Sequence, residues 1–296
     1  MTDNPFPFVP ENRKGLLYAT TAALLWSSAG LFIKVLSLGP FQISFYRSLV
    51  AALTILVVMR VRRQPFKAEL DRLSLACSVS YAGVLILFVT ATKLTTAANA
   101  IFLQYTAPIF LLFLEPWSFR LPFPRKDLWA VAACMGGMAL FFAGHLEAGG
   151  ALGNVLGVCS GLCLALFSLL LKWKRVRHPG QSPYSVVVLG NLLVAMICLP
   201  LALPDLRLNP GQGLALLYLG VFQLGFSWML FTAGMKYLSA TASIITCMLE
   251  AVFNPVWVFL GMGERPSGFA LMGGAVVLGV VAWYNRKKAP APQPVD

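Results

Sequence analysis

Long apolar runs alternate with short polar connections along almost the whole chain of 296 residues. The first run, GLLYATTAALLWSSAGLFIKVL, begins at Gly15 and has about 20 residues, enough for an α-helix to cross the roughly 30 Å hydrocarbon core of a bilayer. It is longer than the apolar core of a signal peptide and lacks a cleavage site of small residues, so we predict a retained helix. Nine similar runs follow. The pattern predicts ten transmembrane helices, at residues 15–36, 41–60, 73–92, 97–117, 126–144, 152–172, 183–203, 212–233, 240–260 and 267–285.

The composition supports this membrane assignment. Hydrophobic residues make up 58% of the chain, charged residues 11%, and the mean hydropathy is +0.76. Soluble domains have roughly 45–50% apolar and about 25% charged residues, and disordered chains are poor in aliphatic and aromatic residues. The connections are too short for a separate soluble domain. We therefore predict an all-α integral membrane protein.

The net charge of +12 reports the orientation of the chain. With the N-terminus inside, 18 Lys and Arg residues lie on the cytoplasmic side and 4 lie outside, while Arg47 lies inside the second span. Lys and Arg are retained in cytoplasmic loops, so we predict that both termini are cytoplasmic. The basic excess needs no nucleic acid partner, because the chain has no polar basic domain that could hold one.

The two halves of the chain resemble each other. LLYATTAALLWSSAGLFIK, ending at Lys34, lines up with NVLGVCSGLCLALFSLLLK, ending at Lys172, and Lys93 lines up with Lys236. We predict a cytoplasmic tail (1–14), a first five-helix repeat (15–144), a second five-helix repeat (152–285) and a C-terminal tail (286–296). Since five is odd, the second repeat is inverted in the membrane. Inverted repeats are typical of secondary transporters, whose substrate site lies near the midplane between the repeats.

Small residues four positions apart occur at matching places in spans five and ten, namely Ala132 and Gly136, and Ala275 and Gly279. Such faces let helices approach closely. They could form a dimer contact or pack within the chain. We favour packing within the chain, because ten spans offer many internal partners, and we expect a monomer.

Several motifs resemble the drug/metabolite transporter superfamily, specifically its EamA-type ten-helix transporters. They are LLWSSAGLFIK, the SFYRSLVAAL run around Arg47, the pair TTAANAIFLQYTAPIF and SATASIITCMLEAVFNP, and LGMGERPSGFALMGGAVVLGVV. Within the superfamily the chain is similar to inner-membrane exporters of aromatic and other neutral amino acids. Two features depart from the family pattern: Leu121 stands where the first half should match Glu264, and Ala251 follows Glu250 where a proline is usual.

Ionisable residues inside a span are costly and mark functional positions. Arg47 is interpreted first as a structural charge that pairs within the bundle, and alternatively as a contact for a substrate carboxylate. Glu250, midway along span nine, could bind a substrate ammonium group or a proton, or could only hold the helix in place. Glu115 and Glu264 lie near span ends, where we expect exposure at the interface.

The resemblance implies a central cavity formed by spans 1, 3, 4, 6, 8 and 9. A neutral amino acid requires apolar walls, aromatic surfaces and a few polar groups. The candidate substrate-binding residues are Trp26, Ser27, Ser80, Tyr81, Asn99, Gln104, Tyr105, Ser168, Gln223, Trp228, Glu250 and Asn254. Pro108 and Pro255 interrupt spans four and nine, which correspond in the repeat, and are candidate kink or gating positions.

Other classes of membrane protein fit less well. An enzyme would need clustered acids with a metal, or a nucleophile with its base, and the six cysteines and two histidines form neither a CxxC pair nor a metal-ligand pattern. A channel would need rings of charges or carbonyl groups, and an interaction protein would need large loops. We therefore expect an inner-membrane exporter with no cofactor or metal, whose partners are a small-molecule substrate and the bilayer. It would alternate access by rocking one repeat against the other, and exporters of other metabolites or drug-like cations are the alternative.

Overall fold

A computed structural model describes residues 12–67, 70–141, 143, 150–178, 180–253, 257 and 267–286. Within these ranges the regular structure is helical, and no β-strand occurs. Ten helices follow one another: α1 (Arg13–Val35), α2 (Pro40–Val61), α3 (Arg72–Leu94), α4 (Ala97–Phe119), α5 (Arg125–Phe141), α6 (Ala151–Arg177), α7 (Tyr184–Ala202), α8 (Pro210–Gly234), α9 (Ala240–Phe253) and α10 (Gly268–Tyr284). Seven are long and apolar enough to cross a membrane, and α5, α9 and α10 are shorter. The predicted ten-helix, all-α membrane fold is confirmed.

The duplication is visible in how corresponding helices begin and break. The Thr96 hydroxyl accepts a hydrogen bond from Asn99 N–H at the start of α4, and Ser239 accepts one from Ala242 N–H at the start of α9, each at 3.0 Å. The same number of residues after these caps, α4 is interrupted at Tyr105 and α9 at Met248. The two repeats, α1–α5 and α6–α10, each have five helices, so the second enters the membrane from the opposite side.

The positions of these breaks correct one expectation about the prolines. Pro108 follows the break in α4 directly, as the second residue of the helical piece Ala107–Phe119. The break in α9 lies at Met248, before Pro255, and Pro255 itself lies outside the described residues. A matched proline is therefore not what interrupts α9 at this point, because the turn at Met248 forms without one.

The two repeats are interleaved. Helix α3 packs along α6, and its counterpart α8 packs along α1; α4 also contacts α6, as α9 contacts α1. The pairs α2–α7 and α5–α10 complete this pseudo-twofold pattern. Rocking of one whole repeat against the other does not fit this packing, because it would separate α1 from α8 and α3 from α6. The buried apolar residues of both repeats form one continuous cluster.

Helices α5 and α10 pack closely through glycines, but not through those expected. A Cβ added at Gly273 would lie 2.4 Å from Gly137 O and 2.4 Å from Phe141 N. One added at Gly136 or Gly279 would meet nothing within 4 Å. The expectation that the small-residue stripes pack within the chain is therefore wrong for these two glycines, which face outward.

A carboxylate links the repeats where α4 ends and α9 begins. Glu115 Oε1 accepts a hydrogen bond from Ala240 N–H at 3.0 Å, and Oε2 accepts from Thr241 N–H at 2.9 Å and from the Thr241 hydroxyl at 2.6 Å. The first N–H groups of a helix have no partner inside the helix, and the positive end of the helix dipole favours an anion. The expected interfacial exposure of Glu115 is wrong, since only 6% of the residue is exposed.

Candidate functional site

A small cavity lies between the two repeats, with about 40 Å³ of water-accessible space and about 450 Å³ of atom-free space once its opening is included. Each repeat contributes seven lining residues: Trp26, Arg47, Val84, Leu85, Phe88, Gln104 and Tyr105 from the first, and Leu164, Gln223, Leu224, Trp228, Ile244, Cys247 and Glu250 from the second. Six of the twelve predicted substrate-binding residues are thus brought together, from spans that are far apart in the sequence. Arg47 adds α2 to the helices that surround the site.

Aromatic side chains form one wall. The ring centroid of Trp228 lies 4.7 Å from those of Trp26 and Tyr81, 5.3 Å from that of Phe167 and 5.5 Å from that of Phe231. The ring planes meet at 56–84°, the tilted and edge-to-face geometries that aromatic pairs prefer. Because the rings come from α1, α3, α6 and α8, this cluster joins the two repeats at the cavity.

Glu250 and Tyr105 meet at the break in α9. The Tyr105 hydroxyl oxygen lies 2.6 Å from Cys247 O and 2.6 Å from Glu250 Oε2. A carbonyl oxygen only accepts, and the hydroxyl has a single hydrogen to donate. Tyr105 can therefore direct its hydrogen to Cys247 O or to an ionised Glu250, and a protonated Glu250 can itself donate to the Tyr105 oxygen.

Arg47 reaches the cavity from α2 and is 1% exposed. Its Nε and Nη1 atoms have no hydrogen-bond partner, and within the described ranges no carboxylate forms an ion pair with it. The internal partner that the structural interpretation requires is therefore not found in this part of the chain.

The two glutamines of the cavity differ in how firmly they are held. Gln104 Nε2 donates to Ser160 Oγ on α6 at 2.8 Å, whereas Gln223 Oε1 has no partner. Gln223 lies in a π-helical stretch of α8, Leu219–Phe226. Such stretches occur frequently at functional sites. A Cβ added at Gly220, in the same stretch, would lie 2.4 Å from Val50 Cβ, so the glycine lets α8 approach α2 closely.

Several predicted residues do not line the cavity. Tyr81 stands behind Trp228, and Asn191 Nδ2 on α7 donates to its hydroxyl at 2.9 Å. Ser27 donates to Leu24 O, and Asn99 donates to Asn154 Oδ1 at a cluster near the end of α3. Three further positions remain, of which Ser80 is half-buried, Ser168 is buried with a partnerless hydroxyl, and Asn254 lies outside the described residues.

Sequence reasoning missed two kinds of site residue. Asn191 holds Tyr81 in place, and a signal was available, since it is the sole amide side chain in the run YSVVVLGNLLVAMICLPLA. The apolar lining residues gave no such signal, because lipid-facing and cavity-facing positions are equally hydrophobic. They are Val84, Leu85, Phe88, Leu164, Leu224, Ile244 and Cys247.

Comparison with known proteins places this architecture in a family. A model of the EamA-like transporter family matches residues 13–143 and, separately, 151–286. The chain is 25% identical over 295 residues to an uncharacterized transporter of Archaeoglobus fulgidus, covering 94% of this chain and 99% of that protein. It is 24% identical over 282 residues to the pseudopaline exporter CntI of Pseudomonas aeruginosa, covering 93% and 98%.

The fold also has a solved counterpart. A crystal structure with 16% sequence identity superimposes with a TM-score of 0.79, covering 94% of this chain and 100% of the other. At this identity the likeness concerns the fold alone.

Proposed function

Because the chain belongs to the EamA-like transporter family, we propose that it exports aromatic and other neutral amino acids across the inner membrane by alternating access. The amino acid substrate is supported by the sequence resemblance described above. A second candidate is export of another metabolite, since a relative is a pseudopaline exporter. Monomeric assembly also remains a proposal.

The observation that supports an amino acid best is the chemistry of the cavity between the repeats. One repeat supplies a buried guanidinium, Arg47, and the other supplies a buried carboxyl group, Glu250. The same cavity is lined by apolar side chains and by the indole rings of Trp26 and Trp228. Small-molecule sites are typically apolar with a few placed polar groups, and aromatic faces attract ammonium groups. A neutral amino acid carries two opposite charges and one apolar side chain.

We propose that both termini are cytoplasmic, on the 18-to-4 distribution of Lys and Arg. Glu115 and the start of α9 then lie at the cytoplasmic side. Alternating access would involve groups of helices taken from both repeats, because α1 is packed against α8 and α9, and α6 against α3 and α4.

Flux in proteoliposomes tests the proposed function. We expect vesicles that contain the protein to release labelled phenylalanine, methionine or threonine faster than vesicles without it. The flux should saturate with substrate concentration and should show counterflow. Counterflow distinguishes a transporter from a channel, which does not show it. Absence of protein-dependent flux for all three would refute the amino acid substrate. Flux of pseudopaline in the same vesicles would then favour the second candidate.

Glu250→Gln should change the pH dependence of this flux. The hydrogen bonds at Tyr105 depend on whether Glu250 is protonated, because an ionised carboxylate can only accept, and raising the pH favours the ionised form. A glutamine cannot ionise, but its amide can still donate to the Tyr105 oxygen. We expect the wild-type flux to depend on pH and the variant flux to depend on it less.

The matched control is Glu115→Gln, which alters a buried carboxylate outside the cavity and should retain the wild-type pH profile per folded protein. Identical pH profiles for the wild type and Glu250→Gln would assign Glu250 a purely structural role.

A further inference from the structure

Arg47 is a buried cation without a counter-ion in the described part of the chain. Its side chain lines the cavity, and its Nε and Nη1 donors have no partner. Burying an unpaired charge is costly, and guanidinium groups inside a bundle are normally paired. An anion that enters the cavity would supply the missing partner.

Among the fully buried lining atoms without a hydrogen-bond partner, donors outnumber acceptors. The indole N–H groups of Trp26 and Trp228 are buried without a partner, and both rings line the cavity with Arg47. One oxygen of the Glu250 carboxyl group, Oε2, is hydrogen-bonded to Tyr105. The remaining fully buried lining atom without a partner is the acceptor Gln223 Oε1, and it cannot satisfy three side chains with N–H donors.

Buried hydroxyl groups extend this donor surface along α2. Ser44 and Ser48 lie one helical turn apart, beside Arg47, and they are at most 1% exposed. Neither hydroxyl has a partner. The hydroxyl groups beside the guanidinium on α2 are therefore available to donate hydrogen bonds.

We infer that Arg47, together with the indole N–H groups of Trp26 and Trp228, forms a subsite for a carboxylate, so that the exported metabolite is a carboxylic acid. This inference rests on the proposed function and assigns the groups that bind the substrate carboxylate. A carboxylate accepts up to four hydrogen bonds and pairs with guanidinium in bidentate geometry. The apolar part and any ammonium group of the substrate would then extend toward the aromatic wall and Glu250.

Ligand binding to the purified protein tests the subsite independently of transport. The probes are 3-phenylpropionate, which has a carboxylate and no amine, and phenethylamine, which has the amine and no carboxylate. We expect 3-phenylpropionate to raise the Tm at concentrations at least tenfold below those needed for phenethylamine, in chloride-free buffer. Phenylalanine and phenylalaninamide form a second matched pair and should differ in the same direction.

Arg47→Gln should lower the affinity for 3-phenylpropionate and phenylalanine about tenfold. It should leave the affinity for phenethylamine and phenylalaninamide unchanged. Arg62→Gln, in the exposed loop after α2, is the control and should bind all probes as the wild type does. If Arg47→Gln fails to fold, the comparison of probes on the wild type still decides the question.

Equal affinity for acid and amine, or binding of neither, would overturn the inference. The inference would also be overturned if chloride raised the Tm of the protein while 3-phenylpropionate and phenethylamine raised it equally. Carboxylate binding without amino acid flux would instead retain the subsite and refute the proposed amino acid substrate.

Discussion

Trp228→Ala should reduce amino acid flux at least tenfold while the protein still inserts into the membrane. Trp228 is 4% exposed, lines the cavity and contacts four other aromatic rings, one from its own helix and three from other helices. Removing it deletes the wall against which an apolar substrate side chain would pack. Truncation of a buried Trp to Ala costs about 3–5 kcal/mol in protein cores, so the amount of folded protein must be measured in parallel.

Two variants make this prediction specific. Trp228→Phe retains an aromatic ring but loses the indole N–H, so its flux should lie between those of the wild type and the alanine variant. Trp129→Ala removes an equally large side chain from α5, where 69% of the residue is exposed, and should leave flux unchanged. Wild-type flux in Trp228→Ala, normalised to folded protein, would show that this wall does not contact the substrate.

Glu115→Ala should lower the stability of the folded protein more than any other single change at a helix end. The substitution removes three hydrogen bonds to one charged group and leaves two buried N–H groups of α9 without acceptors. We expect the free energy of unfolding to fall by about 3 kcal/mol, because hydrogen bonds to a charged group are lost and buried N–H donors are left unsatisfied. The loss of stability is measured by thermal unfolding in detergent, at one scan rate for all variants. We expect the Tm of Glu115→Ala to be lower than that of the wild type by several degrees.

Ser239→Ala is the matched control, because it removes a single cap bond, to Ala242 N–H, from the same helix end. Ser239→Ala should lower the free energy of unfolding by about 1 kcal/mol, as other N-cap substitutions do. Glu115→Gln, which can still accept but carries no charge, should fall between the two alanine variants. Equal Tm values for Glu115→Ala and Ser239→Ala would mean that the carboxylate contributes no more than an ordinary cap.

The ten helices and the duplication could be predicted from the sequence for a direct physical reason. A helix must present about 20 apolar residues to cross the hydrocarbon core, and Pro, Gly and charged residues separate such runs. The direction in which the small-residue stripes face could not be predicted from the sequence. Gly136 and Gly137 are adjacent, yet one faces outward and the other packs against Val276.

The sequence by itself determined the number of helices, the repeat, the asymmetry of basic residues and a short set of polar candidates in the spans. Only the tertiary structure decided which of these candidates meet: Trp26, Tyr105, Trp228 and Glu250 surround one cavity, while Ser80 and Asn99 do not line it. It also showed Arg47 without a counter-ion in the described residues and Glu115 as a buried helix cap. The physical reason is that lipid and protein core are both apolar, so hydrophobic periodicity does not orient a membrane helix as water orients a soluble one. Trp129 and Trp228 are the same residue type, and packing against other helices leaves one 69% exposed and makes the other a wall of the cavity.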